Sequence, residues 1–356
     1  MMSMPNDARL DDLVEAIKTL LASQGRIYMH FAKATIERFG REGEMTVRLG
    51  LRAYGLWRGR EMRAAHHALG KDINMATLIG CWDNASTYVI KDDMDESGTF
   101  EPCNVRFDVP YCPAAEAWQD ADFYQWGHVY CDEFHQACAS AYHPDGNVVI
   151  PQNMMKGDDH CHFQWIMPPG AEALELGEPD ALGRKLARDY QPSGELEDAW
   201  LALKRSNRLL GGHYFTLARP LIERHGEAGR AAVVDALERW GAERGRLLRQ
   251  RHEAAGIEAG LAAFVRHHDL PLALVWESAE VEASATRVVV EIGDTPHDDA
   301  WADADVRELG ALWYETAYPA MVAAYLPGAG ARWTRLRARG DTVSRLELSD
   351  PGGSDA

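Results

Sequence analysis

The chain repeats itself, and the repeat narrows its possible folds more than any other feature. Ile36-Glu37-Arg38-Phe39-Gly40 returns as Ile222-Glu223-Arg224-His225-Gly226. At the same spacing, Leu51, Tyr54 and Gly55 return as Leu237, Trp240 and Gly241, and Arg58-Gly59-Arg60 as Arg244-Gly245-Arg246. At a slightly shorter spacing, Pro113, Trp118, Asp120, Asp122 and Gly127 return as Pro296, Trp301, Asp303, Asp305 and Gly310. Tyr142, Pro144 and Gly157-Asp158 return as Tyr325, Pro327 and Gly340-Asp341. From Pro113 to Trp165 the alignment needs no gap, and roughly a quarter of positions are identical. Chance does not give several such blocks in one order.

The expected fold class is therefore α+β: two similar tandem domains, each a helical layer packed on an antiparallel sheet, paired as a pseudo-dimer. The first domain is expected over 1–168 and the second over 195–350. Between them lies a linker, 169–194, rich in Glu, Gly and Pro. A chain of 356 residues suits two domains.

Within the first copy, apolar spacing predicts helices over 8–23 and 27–39, ended by Gly25 and Gly40, and a third over 42–69. Strands are predicted at Met75–Ile79, Thr87–Ile90 and Cys103–Val109, with a turn over 91–97. One long helix is predicted over 113–142, with Pro113 in its first turn. His143-Pro144-Asp145-Gly146 stops it, and strands follow at Val148–Asn153 and His160–Met167.

The formal net charge of −18 repels phosphate backbones, so nucleic acid is not an expected partner. No run of 18 apolar residues predicts a membrane span. The start of the chain lacks a basic segment followed by an apolar one, so a cytoplasmic location is expected. All six cysteines lie in the first half at irregular spacing. In that setting thiols point to catalysis or metal rather than to a disulfide framework.

The copies also sort residues. What both keep is read as fold: Trp118, Gly127, Tyr142, Gly157, Asp158 and the Arg-Gly-Arg turn. What the second has lost is read as chemistry. Tyr130, Cys131 and His135 become Trp313, Tyr314 and Tyr318. Cys112, Asn153, His160, Cys161 and His162 become Thr295, Leu336, Val343, Ser344 and Arg345.

On a helix, His128, Cys131, His135 and Cys138 form one stripe. On the following strand, His160 and His162 share one face and Cys161 takes the other. Two readings stand side by side. In one, Cys131 is a nucleophile toward an amidine or carbonyl carbon, and His135 or a strand histidine is the base. Cys161 and His160 complete that site, and Asp132 or Asp159 orients a histidine. In the other, Cys131, His135 and one or two of His160, Cys161 and His162 bind Zn2+, leaving one position open to water. Tyr130, Asn153 and His162 are candidate substrate contacts. Arg58 and Arg60 could clamp a carboxylate, although both copies keep their equivalents, which fits structure as well. Cys81 and Cys138 are read as core, the usual place for a cysteine.

The run Tyr130-Cys131, the turn at His143-Pro144-Asp145, and Gly157-Asp158-Asp159-His160-Cys161-His162-Phe163 together resemble the L-2-amino-thiazoline-4-carboxylic acid hydrolase family. The resemblance covers about residues 25–167. It implies a bacterial cytoplasmic hydrolase acting on a small molecule, opening a C–N bond of a cyclic amidine to give a carbamoyl-cysteine. It places Cys131 and Cys161 on the family's two cysteines, and Gly157, Asp158 and Phe163 on its glycine, acid and aromatic. His135 stands where the family often has an acid, and the second copy is a further departure. The ending also resembles vinyl-reductase-like sensor domains, which bind small ligands without chemistry. A monomer or homodimer is expected.

Overall fold

The computed structural model describes residues 4–84, 88–89, 98–171, 174, 176–268 and 272–350. Helix α1 (Leu10–Ala68) merges the three helices expected from the sequence into one rod. Gly25 does not end a helix. It lies mid-helix, where a Cβ would stand 2.9 Å from Ala114, so it is there for close contact. Gly40 does interrupt the helix, but as a kink with φ 56° and ψ −129°. A residue without Cβ takes that conformation readily.

The strand expected at Met75–Ile79 is instead helix α2 (Met75–Gly80), capped by Asn74, whose Oδ1 accepts from the Thr77 amide at 2.8 Å. Of the strand expected at Thr87–Ile90, only Tyr88 and Val89 are described, and they are helical. The turn expected over 91–97 lies outside the described residues. Strands β1 (Thr99–Glu101) and β2 (Asn104–Val109) form a hairpin. The expected single helix over 113–142 is two, α3 (Pro113–Asp120) and α4 (Tyr124–Tyr142). Between them Asp122 has φ 51°, which no helix continues through. Strands β3 (Asn147–Gln152) and β4 (Cys161–Ile166) complete an antiparallel sheet in the order β1-β2-β4-β3.

The connecting stretch holds helix α5 (Ala181–Ala187), which packs on the end of α1, where Gly183 meets the Ala64 carbonyl. The second copy then repeats the first: α6 (Glu195–Ala254), α7 (Leu261–Arg266), α8 (Leu272–Val275), β5 (Ser278–Ala283) and β6 (Arg287–Ile292). Helices α9 (Pro296–Asp303) and α10 (Arg307–Tyr325) and strands β7 (Gly330–Arg335) and β8 (Ser344–Ser349) close it. Its sheet runs β5-β6-β8-β7, the same order. Gly226 kinks α6 with φ 57°, and Asp305 matches Asp122 with φ 54°.

The two kinked helices pack along each other as a spine. Gln24 donates to the Ser206 carbonyl at 3.0 Å, and Arg208 pairs with Glu61 at 2.6 Å across that seam. On its other side, α1 receives α4 at backbone distance. A Cβ on Gly55 or Gly59 would lie 2.3 Å from the carbonyl oxygen of Phe134 or Cys138. Gly241 and Gly245 do the same for α10, with 2.2 and 2.1 Å to the carbonyl oxygens of Ala317 and Met321. This is why the Arg-Gly-Arg segment survives in both copies. No helix among the described residues is long and apolar enough to cross a membrane.

Candidate functional site

The close seating of α4 on α1 fixes one wall of a cavity of about 170 Å³ in the first domain. The inner face of the sheet makes the opposite wall. Strand β4 alternates, so Cys161, Phe163 and Trp165 turn inward. Their antiparallel partners on β2 are Val109, Phe107 and Val105. Phe107 and Phe163 stack with centroids 5.6 Å apart. From α4 come Tyr130, Cys131, Phe134 and His135, and Trp118, Cys112, Trp82 and Arg58 also contribute to the lining.

The chemistry in this wall is held neutral. Burial pushes the Cys131 thiol well above its ordinary pKa, and Cys161 and Cys112 nearby add to the effect. His135 Nδ1 donates to the Cys131 carbonyl at 3.1 Å, because a carbonyl can only accept. That leaves Nε2 as an unprotonated acceptor. Burial pushes the His135 imidazole down to about 3, against the pull of that backbone bond. Its ring meets Phe134 and Phe163 edge to face at 4.6 and 5.0 Å. The Cys161 sulfur accepts from the Met154 amide at 3.4 Å, and burial pushes its thiol up to about 11. Cys112 sits at the N-cap of α3, where burial raises its pKa and the Ala115 and Ala114 amides oppose the rise. Arg58 is buried and paired with both Asp83 carboxylate oxygens through its Nε and Nη2, Nε lying 3.0 Å from Oδ2. Its Cζ lies 4.9 Å from the Trp82 ring and 4.8 Å from that of Phe134.

Six of the residues singled out in the sequence therefore meet at the cavity: Cys131, His135, Cys161, Tyr130, Asn153 and Arg58. Five do not. The strand alternation that turns Cys161 inward turns His162 outward, where its Nδ1 lies 2.6 Å from Asp108. His160 joins the same outer cluster, 2.5 Å from Asp159 and 3.6 Å from Asp108. His160 and His162, expected to complete the site and to touch substrate, therefore stand on the opposite face of the sheet from the cavity. Asp132 pairs with Lys156 at 2.9 Å and does not line the cavity. Asp159 is 89% exposed and holds only the outward His160. Arg60 is exposed on α1. The sheet thus separates His160 and His162 from the other candidate zinc ligands, Cys131, His135 and Cys161. Among the described residues no group of three or more His, Cys, Asp or Glu is arranged to hold a metal.

Cys112, which its loss from the second copy marked without giving it a role, also lines the cavity, as do Gln24, Trp82 and Asn84, which sequence reasoning passed over. The others carry no such mark. In the second copy the corresponding space is filled with rings. Tyr314 and Tyr318 lie 4.7 and 5.2 Å from Trp333, and His297 lies 5.1 Å from Trp313.

Residues 22–165 match the L-2-amino-thiazoline-4-carboxylic acid hydrolase family. The match spans all of the cavity lining except Leu21 and ends at Trp165, the last inward residue of β4. It bears out the resemblance carried by the first domain and supports a hydrolase acting on a thiazoline. No curated protein and no solved structure matches the chain. The first domain thus brings a largely apolar chamber in which the Cys131 thiol and the neutral His135 imidazole sit a helical turn apart on α4, with Cys112 and Cys161 also in the lining.

Proposed function

We propose that the first domain, 1–168, is a hydrolase that opens a C–N bond of a small cyclic amidine of the thiazoline type. Cys131 is the nucleophile and His135 Nε2 the base. The second domain, 195–350, is a scaffold whose α6 braces α1. One observation carries the reading. Cys131 and His135 share the cavity wall, and both are lost together where the second copy fills that space with Tyr314 and Tyr318.

The resting pair is thiol and neutral imidazole. As Cys131 Sγ bonds to the amidine carbon, its proton passes to His135 Nε2. An imidazolium in so apolar a wall is a strong acid. It returns the proton to the ring nitrogen as the C–N bond breaks. Water then adds to the same carbon, again with Nε2 taking its proton. The bond to Sγ breaks, the thiol recovers that proton, and a carbamoyl product leaves. One water is consumed. The aromatic walls, with Phe107, Phe163 and Trp82, hold a flat ring and limit competing water.

The test is turnover of L-2-aminothiazoline-4-carboxylate by the full chain and by Cys131→Ala. Loss of turnover with the fold intact is expected. Full turnover in Cys131→Ala overturns the assignment.

A further inference from the structure

We propose that Asn153 is a catalytic residue that donates its Nδ2–H to Cys131 Sγ as the thiol ionises. The proposal rests on Cys131 being the nucleophile and adds the group that makes its thiolate attainable.

Asn153 is fully buried and lines the cavity. Its orientation is fixed from behind. The side-chain Oδ1 accepts from the Met155 amide at 2.8 Å, so Nδ2 must point the other way. Nδ2 has no hydrogen-bond partner of ordinary geometry among the described residues. A buried amide N–H left without a partner costs about 1–3 kcal/mol, so such groups ask for an explanation. The group it faces is the Cys131 sulfur, whose thiolate it favours against the burial that opposes ionisation.

The turn itself does not explain Asn153. The second copy builds the same turn without it. Leu336 takes φ −143° and ψ 126°, against −148° and 119° at Asn153. The Leu336 amide donates to Asp341 at 2.8 Å, as the Asn153 amide does to Asp158 at 2.6 Å. The turns end on Gly340 and Gly157 with φ 98° and 100°. A leucine therefore supports this backbone within the same chain, and the amide is lost along with the thiol it faces.

The experiment measures alkylation of Cys131 by iodoacetamide across pH, read by peptide mass spectrometry, in the full chain, Asn153→Leu and Asn153→Asp. Leucine removes the donor and is the residue the second copy already tolerates. Aspartate keeps the Met155 bond and replaces the donor with an acceptor. The alkylation midpoint is expected to rise in Asn153→Leu and further in Asn153→Asp. The kcat is expected to fall on the order of 100-fold with KM little changed. An unmoved alkylation profile in both variants overturns the proposal, whatever turnover does. Failure of the nucleophile assignment would show differently, as turnover retained in Cys131→Ala.

Discussion

Asp298 offers the sharpest quantitative test of how the second copy closed its cavity. Its counterpart in the first copy is Ala115, which lines the open one. Both Asp298 carboxyl oxygens are buried without a hydrogen bond of good geometry. The Thr295 and Tyr314 hydroxyls and the Arg337 guanidinium stand nearby, and Asp299 adds a like charge. Burial is the main cause that pushes its pKa from 3.8 up to about 7, and those hydroxyls and Arg337 only soften it. The fold thus favours the protonated acid. Its stabilising contribution is complete below pH 3.8 and is lost as pH rises through about 7. A difference of about three units, at about 1.4 kcal/mol each, is about 4 kcal/mol. Asp298→Asn keeps the shape and removes the titration. Urea unfolding of parent and variant at pH 4 and pH 8.5 measures the difference, and groups common to both cancel. The variant should match the parent within about 1 kcal/mol at pH 4 and exceed it by up to about 4 kcal/mol at pH 8.5. An equal difference at both values would refute the argument.

Three further outcomes follow from the packing and the site. Gly55→Ala or Gly59→Ala should lower stability by roughly 1–3 kcal/mol or more in thermal unfolding, because the new methyl meets backbone at 2.3 Å. Arg58→Met should cost about 3–5 kcal/mol in chemical unfolding, since Asp83 stays buried without its partner, and a second change of Asp83→Leu should recover part of the loss. His135 should stay neutral down to pH 5, with its folded pKa near 3, so kcat/KM should show no acid limb from it. An inflection between pH 6 and 7 that disappears in His135→Gln would contradict that.

What was legible in the sequence depended on comparison within the chain. The repeat picked out Gly157-Asp158 and Trp118 as architecture. Asp158 and Asp341 hold equivalent amides, and Trp118 and Trp301 donate to the Gly25 and Gly211 carbonyls at 2.8 and 3.1 Å. The repeat likewise marked Cys131 and His135. Counting titratable groups along a stretch did less well. It grouped His160, His162, Asp132 and Asp159 with Cys131, yet the pleat and the helix turn point them to solvent or to Lys156. Alternation told that Cys161 and its flanking histidines part company, but not which side faces the core. That choice is made by the neighbouring β2 strand and by α4, which are distant in sequence. Gly25 misled for a similar reason. Its contact, Ala114, lies far along the chain, so locally it reads only as a helix breaker.

The two copies can be compared as a substitution experiment already performed. Backbone requirements are retained almost unchanged: the kinks at Gly40 and Gly226, the left-handed Asp122 and Asp305, and the strand order. So is a buried polar pair, His66 with Tyr142 at 2.9 Å and His252 with Tyr325 at 2.7 Å. Differences gather on the side chains around one space. There, Cys112, Cys131 and Cys161 become Thr295, Tyr314 and Ser344, hydroxyls in place of thiols. Two of the replacements still do structural work. Thr295 caps α9 through the Asp298 amide at 3.0 Å, and Ser344 accepts from Arg337 as Cys161 does from Met154. The backbone at these positions therefore asks for a small acceptor, and serine or threonine meets that need better than cysteine. Cysteine at Cys112 and Cys161 is a weaker structural choice kept in the copy with the cavity. At Cys131 the replacement is a ring that fills the space, so there the thiol answers to the cavity alone.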